Sequence, residues 1–283
     1  MRRSRGLVDD TLVRLYDWRG TGQFVELSGP RQGDHGAQLL EGVGGLWEAQ
    51  RSLVKIETAR LPGSIPVTVR IEELLIDLPT IVQGSDSLEW QWWNRRIHRM
   101  LSFTHDSPLV VQTLPWGPRW ISVRRRAAHE EEIVEDPTFG LSQIWTWQLV
   151  AHDPDWRSPD LTAEWDNSSG TGRGNLRIAY RGDRPSFPKW TGLGPDWNLQ
   201  EPVSGLWNPL PRMAAGEEWK VDSHPLASQL MSSLDRNKWR QLQRGFTASV
   251  DEEGEYVLGV ECSGPASAKV QLRLEQRYEH PWG

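Results

Sequence analysis

Apolar and polar residues alternate along most of this chain, and a period of two marks strands with one covered face. The segments TLVRLYDW (residues 11–18) and QFVELSG (residues 23–29) alternate in this way on either side of RGTG, which predicts a β-hairpin. Further strands are expected over residues 65–74, 108–114, 119–126 and 141–152. In the last of these, Trp145, Trp147 and Leu149 fall on one face and Ile144, Thr146 and Val150 on the other. One segment breaks the rhythm. LEWQWWNRRIHRMLSF (residues 88–103) places Trp90, Trp93, Ile97, Met100 and Leu101 at helical intervals, after Asp86 and Glu89 at capping-box spacing. A helix is predicted there, with Trp90 and Trp93 in the core. Trp92, Arg95, Arg96 and Arg99 lie on its other side, where Trp92 reads equally as a snorkelling surface residue or as a contact to another subunit.

Beyond residue 160 the strands shorten. Candidates at residues 161–165, 175–180, 189–193, 218–222, 244–250, 256–262 and 268–278 are separated by Gly, Pro and Asn at the spacing of a β-sandwich. The Pro-bearing stretch at residues 154–159 is the natural boundary. The fold class expected is mainly β: an N-terminal β domain, a sheet or sandwich with one helix, over residues 1–158, and a C-terminal β-sandwich over residues 159–283. A chain of 283 residues is long enough for two such cores.

Composition narrows the function. Of 17 Trp, ten precede Ser158 and seven follow it, so the enrichment belongs to the whole chain rather than to one pocket. Net charge is −6 and both halves are mildly acidic, which argues against a nucleic-acid module. The lone Cys262, in VECSG, excludes an intrachain disulfide and a multi-cysteine zinc site and reads as a small strand residue. No apolar run follows the basic MRRSR, so neither a signal peptide nor a membrane insertion is expected, and the chain reads as soluble.

Candidate chemistry is sparse. The seven histidines never pair at H-x-x-x-H or H-x-H spacing, so no metal site is signalled. The Gly-rich loop GPRQGDHGAQLLEGVGGLW matches no phosphate-binding fingerprint, and no cofactor is called for. AHEEEIVEDP gathers acids as a solvated link does, not as a facing acid/base pair, and no nucleophile elbow occurs. The sequence therefore gives no reason to expect an enzyme. A carbohydrate-binding module is the alternative, with Trp190, Trp197 and Trp207 as a glycan platform against a reading of all three as core or turn residues.

The succession LEWQWWNRRIHRMLSF, GPRWISVRRR, QIWTWQLVAHDPDW, RIAYRGDRPSFPKWTGLGP and VQLRLEQRYEHPWG resembles the minor tail proteins of actinobacterial siphophages that correspond to the distal tail protein. That resemblance implies a homohexameric ring of N-terminal domains at the end of the tail tube, with a galectin-like C-terminal sandwich projecting outward. It also implies a place in the virion, at the distal end of the tail, after synthesis in a host cytoplasm. Partners would be other copies of the chain, the tail tube protein, the tape measure and the tip or baseplate proteins. A closed ring needs two different adhesive faces on each copy, and Trp and Arg suit such faces; Trp92, Arg95, Arg96 and Arg99 are the candidates for intersubunit contact. Genomic DNA would pass through the opening without specific binding, so acids are expected to line it. Asp9, Asp10, Asp17, Asp34 and Glu41 flank the first hairpin and Gly-rich loop and are the candidates.

Overall fold

The alternation of the N-terminal half becomes a curled antiparallel sheet around one helix. The computed structural model describes residues 11–57, 62, 64–114, 116–129, 133 and 135–282. The expected first hairpin pairs β1 (Thr11–Tyr16) with β2 (Phe24–Ser28). Then follow β3 (Ala37–Leu39), β4 (Arg51–Glu57), β5 (Ser64–Ile71), β6 (Leu74–Gln83), the helix α1 (Ser87–Met100), β7 (Ser107–Thr113), β8 (Gly117–Arg125), the single turn α2 (Pro137–Gly140) and β9 (Ser142–Ala151). Strand order is β2-β1-β7-β8-β9-β6-β3, with β2 and β3 neighbours again, so the sheet wraps round its core. Leu15, Leu27, Leu78, Ile97, Leu101, Leu109, Trp147 and Leu149 converge inside it.

β6 was not among the strands the pattern predicted, because Pro79 interrupts it. The ladder survives: the Pro79 carbonyl accepts from Leu40 N at 2.8 Å, and Leu74, Ile76, Leu78, Thr80 and Val82 turn inward in strict alternation. The helix forms as expected. Asp86 accepts from Glu89 N at 2.8 Å and the Glu89 carboxylate returns to Ser85 N at 2.7 Å, so both ends of the cap are satisfied. Trp90, Trp93, Ile97 and Met100 are buried, and Trp145 Nε1 donates to Asn94 Oδ1 at 3.0 Å, tying α1 to β9.

The chain divides into two compact units, Met1–Trp156 with Glu279–Gly283, and Arg157–Tyr278. The Pro-bearing stretch expected as a boundary link runs into a long strand, β10 (Trp156–Asp166), and Trp156 at the start of that strand is fully buried. The second unit continues with β11 (Arg173–Tyr180), β12 (Lys189–Leu193), β13 (Trp197–Gln200), β14 (Trp207–Pro209), β15 (Glu218–Asp222), β16 (Leu230–Ser232), β17 (Gly254–Cys262) and β18 (Lys269–Tyr278). Within it, β16-β15-β12-β18-β10 form one layer and β11-β17-β13-β14 the other. Trp190, Trp219, Val221, Leu230, Val270 and Leu272 of the first layer meet Leu176, Ile178, Trp197, Leu199, Leu258 and Val260 of the second, which makes a β-sandwich.

One predicted strand there does not exist. Residues 244–250 run as irregular chain because the Gln229 side chain supplies the partners a strand would have offered: it accepts from Phe246 N at 2.9 Å and donates to the Phe246 carbonyl at 2.6 Å. With its backbone satisfied in this way, Phe246 fills the core.

Candidate assembly surface

The segment from Arg51 to Ile71 is built unlike the rest of its unit. β4 and β5 pair only with each other, as a two-stranded sheet. Leu53 faces Val69 and Ile56 faces Ile65, with Val67 of β5 left over as a bulge between the Val54–Thr68 and Lys55–Pro66 pairs. β4 alternates without interruption while the extra residue lies in β5, so register places Leu53, Val69 and Ile71 on one side of the hairpin with Arg51 and Lys55, and Ile56 and Ile65 on the other. Ser52, Val54, Thr68 and Arg70 share the side of Ile56 and Ile65. Leu53, Ile56, Ile65, Val67, Val69 and Ile71 are between 36% and 56% exposed, so both sides of the hairpin carry apolar residues that none of the described residues buries. A lone hairpin is marginal in water, and exposed apolar residues gathered on one mark an interaction surface.

The hairpin springs from a fixed root. Glu72 N donates to Gln50 O at 2.9 Å and Ser52 Oγ to Glu72 Oε1 at 2.8 Å, closing its open end. Arg51 pairs with Glu279 of the C-terminal tail. His280 Nδ1 is hydrogen-bonded to the Trp47 carbonyl at 2.6 Å, Trp282 packs on the Trp47 ring at 4.9 Å, and Arg119 donates to His280 O at 2.7 Å.

The second surface is the outer side of α1. Trp92 is 51% exposed, standing edge-on to Trp93 at 4.3 Å. Of the arginines expected beside it, Arg95 and Arg99 are exposed. Arg96 turns inward: its guanidinium lies 5.1 Å from the Trp92 ring and 5.4 Å from Trp93, and donates to the Phe24 carbonyl at 3.4 Å. The sequence alone offered no sign of this, because Arg96 precedes the buried Ile97 and its direction is set by the approach of β2. Leu88, one helical turn before Trp92, is 77% exposed, and Phe139 on α2, which adjoins α1, is 86% exposed.

The other candidate residues scatter. Asp34 and Glu41 are exposed on the Gly-rich loop, and Asp34 pairs with Arg31 at 3.5 Å. Asp17 is buried, a correction to its expected place at an opening: its carboxylate accepts from Arg19 N at 3.0 Å and Arg19 Nη1 at 3.1 Å, closing the turn between β1 and β2. Asp9 and Asp10 lie outside the described residues. The glycan platform is also corrected. Trp190 and Trp197 are each 1% exposed in the core of the sandwich, where they present no face to a sugar, and only Trp207 is partly exposed. Cys262 is buried on β17 with its thiol against the Pro195 carbonyl. Among the described residues, no three His, Cys, Asp or Glu side chains are placed to hold a metal ion, and no helix is long and apolar enough to cross a membrane.

No protein-family model and no curated sequence matches the chain. Solved structures do match in fold. The crystal structure of the phage SPP1 Dit protein, described as a paradigm of the hub adsorption apparatus in phages infecting Gram-positive bacteria, superposes with a TM-score of 0.62 at 12% identity, covering 94% of this chain and 98% of that one. A chain of the phage P2 baseplate in its activated conformation with calcium gives a TM-score of 0.53 at 9% identity, covering 95% and 99%. The same baseplate with strontium gives 0.51 at 8% identity, again over 95% and 99%.

Proposed function

We propose that this protein is a structural component of a phage tail tip, six copies of which close into a ring joining the tail tube to the distal tip apparatus. The observation that carries the reading is the fold likeness to the SPP1 Dit protein, which runs through 94% of this chain and 98% of that one. A likeness confined to one unit would say only that a common sandwich is present; a likeness through both preserves a whole architecture. Two surfaces of the first unit support it. A β-hairpin with exposed aliphatic residues on both sides and a helix with exposed Leu88 and Trp92 are costly to keep in water as a monomer, and they differ from one another, as the two faces of a cyclic assembly must.

In this reading residues 1–158 form the ring and residues 159–283 a galectin-like sandwich carried on its outside, in the virion of a siphophage of actinobacteria. The tail tube protein, the tape measure and the tip proteins are the neighbours. The role is mechanical and no catalytic step is assigned. DNA leaving the tube would need an opening that does not hold phosphate, so Asp34 and Glu41 face the lumen. Arg124, Arg125 and Arg126 are engaged within the protein instead, with Asp106 at 2.6 Å, over the Phe103 ring at 4.5 Å and with Gln148 at 3.2 Å. Electron microscopy of the purified full-length protein, with light scattering, tests the proposal. Sixfold rings are the expected result, and a monomer at every concentration tried would overturn it.

A further inference from the structure

We infer that the outer face of the β11-β17-β13-β14 layer binds a saccharide, with the Trp207 indole as its platform and Arg173, Asn198 and Glu261 as its polar rim. The inference goes beyond the ring reading and stands on the second unit alone; Trp190 and Trp197, buried in the core, have no part in it. Alternation along the strands builds the face. Leu258 and Val260 of β17 fill the core, so Val257, Gly259 and Glu261 turn outward. Register sets Arg177, Asn175 and Arg173 of β11 beside them, each exposed. On the other flank Asn208 is buried, so Trp207 stands out from β14 opposite Gln200 of β13.

Gly259 shows where the indole goes. It faces outward and yet is buried, and a Cβ built on it would stand 2.6 Å from Trp207 Cη2 and 2.9 Å from Cζ2. Since β13 lies between β14 and β17, the ring reaches across a whole strand and covers the Gly259 backbone. Gln200 is fixed beside it, accepting from Gly259 N at 2.9 Å and donating to Gly205 O at 3.0 Å. The ring is held against the sheet on one side while the residue keeps 38% of its exposure. A large aromatic surface is thus presented to water in a fixed position.

Polar groups stand next to it. Two residues on from Gly259, the Glu261 carboxylate accepts from Asn198 Nδ2 at 3.1 Å and pairs with Arg173 Nε at 3.2 Å. A carboxylate has room for further donors and a guanidinium for further acceptors, so neither group is exhausted by these contacts. Arg173, Asn198 and Glu261, with Asn167 and Asp196, also line a cleft of 450 Å³. That volume suits a small polar ligand. Asp196 holds φ +57° there, a sparsely populated backbone region of the kind that binding sites retain.

A sugar ring matches both halves of this surface. Its C–H face carries slight positive charge and stacks on the electron-rich face of an indole, and its hydroxyls, each a donor and an acceptor, suit a carboxylate, an amide and a guanidinium set side by side. Trp207 and Val257 are the apolar part of the face, far less than the roughly 800 Å² that each partner gives to an ordinary protein contact. A nucleic-acid strand would ask for a basic groove, whereas Glu261 and Asp196 stand in this one.

Calorimetry on the full-length protein tests the inference, with cellohexaose, maltohexaose, mannohexaose, galactotetraose and arabinohexaose as the probes. Binding of at least one of them, weakened about tenfold by Trp207→Ala, is the expected result. Arg173→Ala alters an exposed side chain and should also weaken it severalfold, which keeps the test readable if Trp207→Ala unfolds. No heat from any probe at millimolar concentration would overturn the inference, and so would binding that both variants leave unchanged. Loss of an oligomer in Trp207→Ala by light scattering, with no sugar bound by the parent protein, would make this face a protein contact instead. Sixfold rings that bind no probe would sink the saccharide site and leave the ring reading standing.

Discussion

The side chain that Gly36 lacks would collide with Trp93: a Cβ built there lies 2.2 Å from the indole ring. Gly36 also has φ +61°, a left-handed backbone that other residues adopt only with strain. The Gly-rich loop is thus the seat on which the buried side of α1 rests. Gly36→Ala is expected to cost about 2–4 kcal/mol, from overpacking added to backbone strain. Urea unfolding of the full chain measures it, and an unchanged midpoint would mean that the helix does not sit on this loop.

Trp92 and Arg96 are adjacent on the helix wheel but should behave oppositely. Trp92→Ala removes a half-exposed ring and is expected to lower stability by only about 0.5–1 kcal/mol, the worth of its edge contact with Trp93. At a ring interface the same change should cost roughly 2 kcal/mol, or about thirtyfold in association. Arg96→Ala loses two ring contacts and a hydrogen bond to the Phe24 carbonyl, and should lower stability by about 1–2 kcal/mol. Thermal melts beside sedimentation of each variant separate the two effects; a large drop in melting temperature for Trp92→Ala would place that ring in the core.

Acid should loosen the first unit through His98. Its ring stands edge-on to His129 at 5.2 Å and to Trp147 at 4.8 Å, and burial, then the neighbouring His129 and Arg125 charges, push its pKa down to about 4. The unfolded chain takes up a proton near the ordinary value of 6.5 and the folded chain does not, so stability is full above that pH, falls as pH drops from 6.5 towards 4, and then levels off. The whole shift corresponds to about 3 kcal/mol, and partial solvent contact of the ring reduces the expected loss to roughly 1–2 kcal/mol. The difference in melting temperature between pH 7.5 and 4.5 should shrink in His98→Gln; equal pH dependence in both proteins would clear His98 of the effect.

Trp197 should behave as a core residue of the sandwich. It packs edge-on against Trp165 at 5.9 Å and Trp219 at 5.5 Å. Trp197→Ala is expected to cost about 3–5 kcal/mol, the range for deleting a large buried aromatic. Denaturant titration followed by near-ultraviolet circular dichroism reads this, and a stable variant that had lost only binding to a glycan would restore the platform reading.

The sequence by itself determined the elements whose patterns are long and uninterrupted. The β1–β2 hairpin, β7, β8, β9 and α1 were legible because local periodicity decides which face an element buries, and because the α1 cap is written in Asp86 and Glu89. The mainly β class followed from the same periodicity. β13, β14 and β16 were missed since three or four residues carry too little period to read, and β6 because Pro79 broke a pattern that the β3 and β9 ladders nevertheless sustain.

Tertiary structure alone decided which exposed residues matter. The strand at residues 65–74 was expected from sequence; that its apolar residues stand exposed on a two-stranded hairpin, with no third strand paired to it among the described residues, is visible only in the structure. Likewise Arg95, Arg96 and Arg99 look alike in the chain, yet the approach of β2 draws Arg96 inward and leaves the others out. Trp190, Trp197 and Trp207 could not be sorted before the two layers of the sandwich closed over the first two. Periodicity fixes the side on which a residue lies, and whether anything covers that side depends on elements far away in the chain.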